Sequence, residues 1–212
     1  MSDGVRVERC PKRIRAVAGG LTVIDSIAAR YVWLDRPYPT YFFPPDDVHA
    51  DYRHLADAEH DGLLAFRWAE MDHWFEEDEE VYTHPRDPYT RVDILASSRR
   101  VQVEVDGVTV ADSTSPRLLF ETGLPTRYYV PKTDVRMDLL RHTDTSTGCP
   151  YKGTAEYWSI DINGRAHPDI AWSYKAPFAE SQKIAGLIAF YNEKVDLVVD
   201  GLRLDRPQTK FS

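Results

Sequence analysis

Cysteine is nearly absent. Cys10 and Cys149 are the only two in 212 residues, they lie far apart, and no CxxC pair exists. A zinc ribbon or a dithiol redox motif is thereby excluded, and a reducing cytoplasm is the expected compartment. Long apolar runs are missing as well: no stretch approaches the roughly 18 residues that cross a bilayer, and the opening residues carry charge without an apolar h-region. Neither export nor membrane contact is expected. The seven histidines show no HExxH or other ligand spacing, so the chain is read as metal-independent and free of cofactors. Positive charge is in deficit, with 26 Lys and Arg against 34 Asp and Glu and a net charge of −8. Phosphate backbones are repelled by that balance, and no nucleic-acid partner is expected.

What is present is the composition of an ordinary globular protein, 42% hydrophobic and 28% charged, enough for one sizeable core or two small ones. Two charge clusters read as solvent-facing: a basic arm with Arg6, Arg9, Lys12, Arg13 and Arg15, and an acidic loop at Glu76–Glu80.

Aligning the chain with itself exposes a duplication. Gly20-Leu21-Thr22-Val23-Ile24-Asp25-Ser26 matches Gly107-Val108-Thr109-Val110-Ala111-Asp112-Ser113, an offset of 87 residues that then continues without a gap. It pairs Arg30 with Arg117, Tyr41 with Tyr128, Pro44 with Pro131 and Asp47 with Asp134. Each copy opens as a hairpin: Val101, Val103 and Val105 alternate with polar residues, Asp106-Gly107 turns, and Val108-Thr109-Val110 returns. A short strand follows, then a Pro-rich loop, then Tyr128-Tyr129-Val130-Pro131 and a brief helix around Thr133–Leu140 with Asp134 in its first turn. Farther on the copies diverge. Ala65-Phe66 matches Ala189-Phe190 at an offset of 124, so about 37 residues of the second copy have no equivalent in the first. Thr83–Pro88 reads as a linker. The expected organisation is therefore a degenerate copy over 1–90 and a complete copy over 91–212. Both are mostly β, and each is too small to be comfortable alone, so the two are expected to pack as a pseudo-dimer about a near two-fold axis. A homodimer of the whole chain is a further candidate.

The residues missing from the first copy hold the most site-like stretch, Gly148-Cys149-Pro150-Tyr151-Lys152-Gly153-Thr154-Ala155-Glu156. Gly and Pro favour a turn that lets a thiol and an amine three residues apart converge, whereas a straight strand would send them to opposite faces. Cys149 reads as a nucleophile activated by a nearby ammonium, or as a small buried hydrophobe. Lys152 serves more chemistries: it can bind an anionic group, form an imine or stabilise an oxyanion. In the strand after the turn, Trp158, Ile160 and Ile162 share a core-facing side; Ala155, Tyr157 and Ser159 share the other, small residues around a phenol, as a binding floor requires.

Tyr-Tyr-Val-Pro followed by Asp-Val, then Cys149-Pro150-Tyr151-Lys152-Gly153-Thr154-Ala155, Trp172-Ser173-Tyr174 and Ala189-Phe190-Tyr191 together resemble the domain-of-unknown-function 427 family over nearly the whole chain. The resemblance implies β-tent-like domains, two small antiparallel sheets meeting at an angle, and a catalogue label of nucleotidyltransferase. The residues offer no Gly-rich phosphate loop running into a helix and no acid pair spaced for magnesium. The candidate catalytic residues are Lys152, Cys149 and Tyr157; the candidate ligand contacts are Tyr128, Arg117, Tyr151, Trp172, Tyr174 and Tyr191. Arg117 suits a carboxylate or phosphate, although Arg30 repeats it in the other copy and a structural salt bridge explains both. His142, a few residues before the turn, is either a base for Cys149 or a surface side chain. The expected function is a small-molecule enzyme; the rival is a non-catalytic binding or interaction module using the same residues.

Overall fold

The computed structural model describes residues 5–212, which fall into two compact units, one ending at Pro88 and the other spanning Tyr89–Ser212. Both are mostly β: antiparallel strands joined by tight turns and short 3-10 helices. Among the described residues no helix is long and apolar enough to cross a membrane.

The first unit holds β1 (Arg6–Arg9), β2 (Ile14–Ala18), β3 (Leu21–Ser26), β4 (Arg30–Trp33), β5 (Thr40–Phe42), β6 (Ala58–His60), β7 (Leu63–Ala65), β8 (His73–Glu76) and β9 (Glu79–Val81). They form sheets ordered β1-β4-β5, β3-β2-β8-β9 and β6-β7, around a core that includes Ile14, Val23, Ile24, Tyr31, Phe43 and Trp74. The basic residues are not a solvated arm. Arg6, Arg9 and Arg15 lie on paired strands, Lys12 and Arg13 in the bend between them, and acids answer them: Arg13 grips Asp25 at 2.5–2.6 Å, Arg15 reaches Asp78 at 2.8 Å, and Lys12 bonds Glu76. Nor is Glu76–Glu80 a plain loop, because β8 and β9 are a hairpin and Glu76 is buried, accepting the Tyr41 hydroxyl at 2.5 Å. The alternation of a strand carries Glu76 inward while Glu77 turns the chain at φ 52°. The linker is anchored too, since Asp87 accepts Trp33 Nε1 at 2.8 Å.

The second unit holds β10 (Val92–Ala96), β11 (Val101–Val105), β12 (Val108–Ser113), β13 (Arg117–Glu121), β14 (Arg127–Val130), β15 (Leu140–Cys149), β16 (Gly153–Ile162), β17 (Arg165–Tyr174), β18 (Ile188–Phe190), β19 (Asp196–Val199) and β20 (Leu202–Arg203). A seven-stranded sheet, β10-β13-β14-β18-β17-β16-β15, packs one face on a four-stranded sheet, β12-β11-β19-β20. That shared layer is apolar: Val101, Val103, Leu197 and Val199 meet Leu118, Val130, Trp158, Ile160, Ile188 and Phe190. The other face gathers Ile94, Leu119, Tyr129, Ala155, Tyr157, Trp172, Tyr174 and Ala189, with Ile184 from the 3-10 helix Ala179–Ile184. The expected division of β16 therefore holds, with Trp158, Ile160 and Ile162 in one cluster and Ala155 and Tyr157 in the other.

Two local expectations are corrected. Thr133–Leu140 is not one helix but two 3-10 turns, Lys132–Asp134 and Met137–Leu139, and Asp134 accepts the Ser113 hydroxyl at 2.6 Å. Leu140–Cys149 is a ten-residue edge strand where no strand was expected. Its Thr-Asp-Thr-Ser-Thr run has no apolar alternation because most of it faces solvent, so period-2 reading fails on it.

Features of the first unit recur 87 residues later. The hairpins β2–β3 and β11–β12 slip register at Ala16/Val17 and Val103/Glu104, Ser26 bonds Asp47 as Ser113 bonds Asp134, both at 2.6 Å, and Arg13–Asp25 recurs as Arg100–Asp112. The longest strand of the first unit has six residues, against ten in each of β15, β16 and β17.

Candidate functional site

The turn between β15 and β16 is three residues long, Pro150-Tyr151-Lys152, because Cys149 and Gly153 face each other across the ladder. Lys152 N donates to Cys149 O at 3.3 Å, closing a β-turn, and Gly153 follows at φ +94°. A Cβ there would meet Ala176 O at 3.5 Å, which is ordinary contact. It is the backbone angle that selects glycine, not the space. The neighbouring 3-10 segment buttresses the turn: Phe178 N donates to Lys152 O at 3.3 Å and Ser181 Oγ to Tyr151 O at 3.0 Å.

So held, Lys152 folds inward. It is 7% exposed, and its ammonium pairs with Glu121 on β13 at 2.5 Å; the Glu121 side chain is 11% exposed. Glu121 shares a face with Leu119, two residues back on its strand, so the pair lies at the margin of the Tyr129–Trp172–Tyr174 cluster. Cys149 is half-buried against that cluster. Burial foremost pushes the Tyr174 phenol far above its ordinary value, with Tyr129, Cys149, Tyr157 and Glu121 acting in the same sense.

The floor of this face is a chain of hydroxyls and rings. Tyr157 is buried, its hydroxyl 2.7 Å from Thr147 Oγ1 and 3.5 Å from the Tyr191 hydroxyl. Trp172 sits opposite Tyr157 in the ladder, donates Nε1 to the Tyr129 hydroxyl at 3.0 Å, and lies 4.6 Å from the Tyr191 ring. Burial, then the bond to Tyr157, raises the Tyr191 phenol well above its usual range. Arg127 closes one end. Its guanidinium makes a two-pronged pair with Glu193 at 2.7 and 2.8 Å and lies over the Trp172 and Tyr191 rings at 5.6 and 5.7 Å. Burial works to raise the Glu193 carboxyl, but hydrogen bonds from Arg127 and Thr209 outweigh it and hold it below the ordinary glutamate value.

A model of a protein family, the domain of unknown function DUF427, matches residues 93–201, just over half of the chain. The chain belongs to the DUF427 family. The matched residues lie within the second unit and contain the whole constellation from Arg117 to Glu193. A comparison with curated proteins returned no match.

Within this DUF427 region the structure brings Lys152, Cys149, Tyr157, Trp172, Tyr174 and Tyr191 to one face. Tyr128 is not there. It points to the opposite, apolar face of β14, and Tyr129 takes the place expected of it. Tyr151 is at the tip of the turn, partly exposed. Arg117 lies opposite Tyr129 in the ladder, so it shares the aromatic face. The structural salt bridge expected for it is absent: among the described residues no carboxylate pairs with it, and its guanidinium donates to the Pro116 carbonyl at 3.5 Å. His142 cannot serve Cys149, being seven residues up the same strand, about 20 Å away. It lies edge-on to Trp158 on the other face. Sequence reasoning missed Arg127, Tyr129, Glu193 and Asp169. Asp169 adopts φ +46° at a register shift of β17 and accepts the Thr143 and Thr145 hydroxyls at 2.7 Å each. The only signal for Arg127 and Tyr129 was their two-residue spacing on one strand, which places them on one side. Among the described residues no group of three or more His, Cys, Asp or Glu side chains is gathered as a metal site would need.

Proposed function

We propose that the second unit is a small-molecule enzyme in which Lys152 is the central polar group, acting with Glu121, while Cys149 and Tyr157 stand beside it. The observation that carries this reading is the nearly buried Lys152–Glu121 pair among phenols. Such a pair contributes little net stability, because desolvating two charges offsets most of their attraction; burying it amid other titratable groups is instead a mark of functional sites. In such a pair the ammonium can hand a proton to a substrate oxygen while the carboxylate takes one from the substrate, the work of a general acid–base couple. Arg117, with no acid partner among the described residues and on the same face, would hold an anionic substituent of the substrate.

A second reading has its own support. Because Glu121 already neutralises Lys152, the ammonium is not free, which favours a non-catalytic small-molecule-binding module. A nucleotidyl-transfer role, implied by the family resemblance, draws less support: Lys152 and Arg127 are both committed to acids, and among the described residues no helix N-terminus follows a glycine loop that could cradle phosphates. The recurrence at 87 residues supports a gene duplication with a degenerate first copy and β-tent-like halves. The pseudo-dimer arrangement is carried as part of the same proposal, and two free thiols suit a cytoplasmic setting.

The test is a thermal-shift panel of small aromatic metabolites against the full chain, followed by Lys152→Met and Cys149→Ala. Lys152→Met is expected to lose on the order of 2 kcal/mol or more of binding or transition-state energy, and Cys149→Ala under about 1. Turnover of the hit separates enzyme from binding module. Abolition by Cys149→Ala with activity kept in Lys152→Met would replace the lysine-centred reading with a thiolate mechanism.

A further inference from the structure

The segment after β20 does not trail away. Arg206 pairs with Asp196 at 2.9 Å, Thr209 N donates to Ser212 Oγ at 2.9 Å, and Phe211 N donates to Thr209 Oγ1 at 3.0 Å. This small self-bonded turn presents two side chains to the aromatic face. The Thr209 hydroxyl donates to Glu193 Oε1 at 2.6 Å, and the Phe211 ring lies 5.6 Å from the Tyr191 ring and 5.6 Å from the Arg127 guanidinium. The segment lies beyond residue 201, where the family match ends.

We infer that residues 207–212 are a strap occupying, in the chain's own ligand site, the place of a neutral planar aromatic molecule that bears a hydroxyl. What the strap offers the site is one ring and one neutral donor. The receiving groups are a guanidinium and a phenol ring, which stack with any flat π-system, and a carboxylate oxygen that takes a hydroxyl proton. Arg127 already balances the Glu193 charge, so a neutral donor fits there better than a cation. The grip is slight by comparison with what it covers: one side-chain hydrogen bond from Thr209 and one ring, Phe211, set against Tyr191 and Arg127, and Thr209 and Phe211 are themselves only partly buried. A molecule that makes both contacts without ordering a peptide segment displaces it. The inference rests on the proposed function in placing the ligand on this face, and it adds the ligand's chemical class and its competitor.

Tryptophol, an indole ring with one hydroxyl, is the probe, and 2-cyclohexylethanol, with the same hydroxyl on a saturated ring, is the control. Calorimetric titration of the full chain carrying Thr209→Val and Phe211→Ala is expected to give tryptophol binding about ten-fold tighter than the unaltered chain, the factor set by a strap closed about nine-tenths of the time. The saturated alcohol is expected to gain nothing. Equal tryptophol affinity in the two chains overturns the strap, and an equal gain for the saturated alcohol reduces it to a cover over greasy surface. Hydrogen exchange on the unaltered chain decides the matter if the variant does not fold: saturating tryptophol should speed exchange of the Thr209 and Phe211 amides, and unchanged rates sink the inference. Failure here with the Lys152→Met loss intact leaves the proposed reaction centre standing.

Discussion

The seven-stranded sheet of the second unit has one face that is almost wholly apolar and one that mixes rings with charges and hydroxyls, and the same strands make both. On β16, Trp158, Ile160 and Ile162 enter an apolar layer, while Ala155 and Tyr157 turn to a face that also holds a thiol, several phenols and two nearly buried ion pairs. Period-2 alternation lets one strand serve a core and a candidate site at once, without either set of side chains crossing to the other. The energetics differ accordingly. The apolar face is held by area and close packing, so it should answer to lost volume; the polar face is held by matched charges and hydrogen bonds, so it should answer to lost partners.

That difference is sharpest at Arg127. Removing the guanidinium strands Glu193, whose side chain is fully buried, so Arg127→Met is expected to cost about 3–5 kcal/mol in denaturant unfolding. Adding Glu193→Leu should restore much of that loss. A double variant as unstable as the single one would show that packing, not charge, governs this face. On the apolar side Ile188→Ala should cost about 2–5 kcal/mol, graded by the cavity it leaves, and should not move ligand binding. A binding defect there would mean the two faces are not independent.

Smaller effects refine the contrast. Gly153→Ala forces a side chain onto φ +94° and is expected to cost about 1–3 kcal/mol, with weaker ligand binding because Lys152 is no longer aimed at Glu121. Unaltered binding in a folded Gly153→Ala chain would separate the turn from the site. The least effect is a pH slope. Glu193 is held below the ordinary glutamate value of 4.5, so its share of stability is present above that pH and is lost as pH falls through the lower folded value. Stability measured downward from pH 5 should fall more steeply in the unaltered chain than in Glu193→Gln. Asp25, Asp112, Asp138 and Asp200 are depressed too, but they remain in both chains and cancel in the comparison.

Much of the β architecture was legible because its signals are local. Val101-x-Val103-x-Val105 before Asp106-Gly107 reads as a hairpin in any context, and the structure has that hairpin. The turn at Lys152 was legible for the same reason, from Gly and Pro alone. Leu140–Cys149 was not, since a polar edge strand is recruited by its neighbour β16 and not by its own pattern. Glu76 was misread because a run of five acids looks solvent-borne until a strand turns one of them inward beside Tyr41 and Lys12.

What sequence alone determined about this protein is its class of structure, mostly β with tight turns, its β16 faces, and the stretch where an amine is aimed. Tertiary structure decided which groups answer that amine. Glu121 lies 31 residues from Lys152, and Glu193 lies 66 from Arg127; no period or motif links such positions, because their meeting depends on how β13, β14 and β18 are ordered in the sheet. Tyr128 and Tyr129 make the point within one strand. Both are tyrosines in the same motif, and only the packing of the two sheets tells which one faces the apolar layer and which the aromatic face of the candidate site.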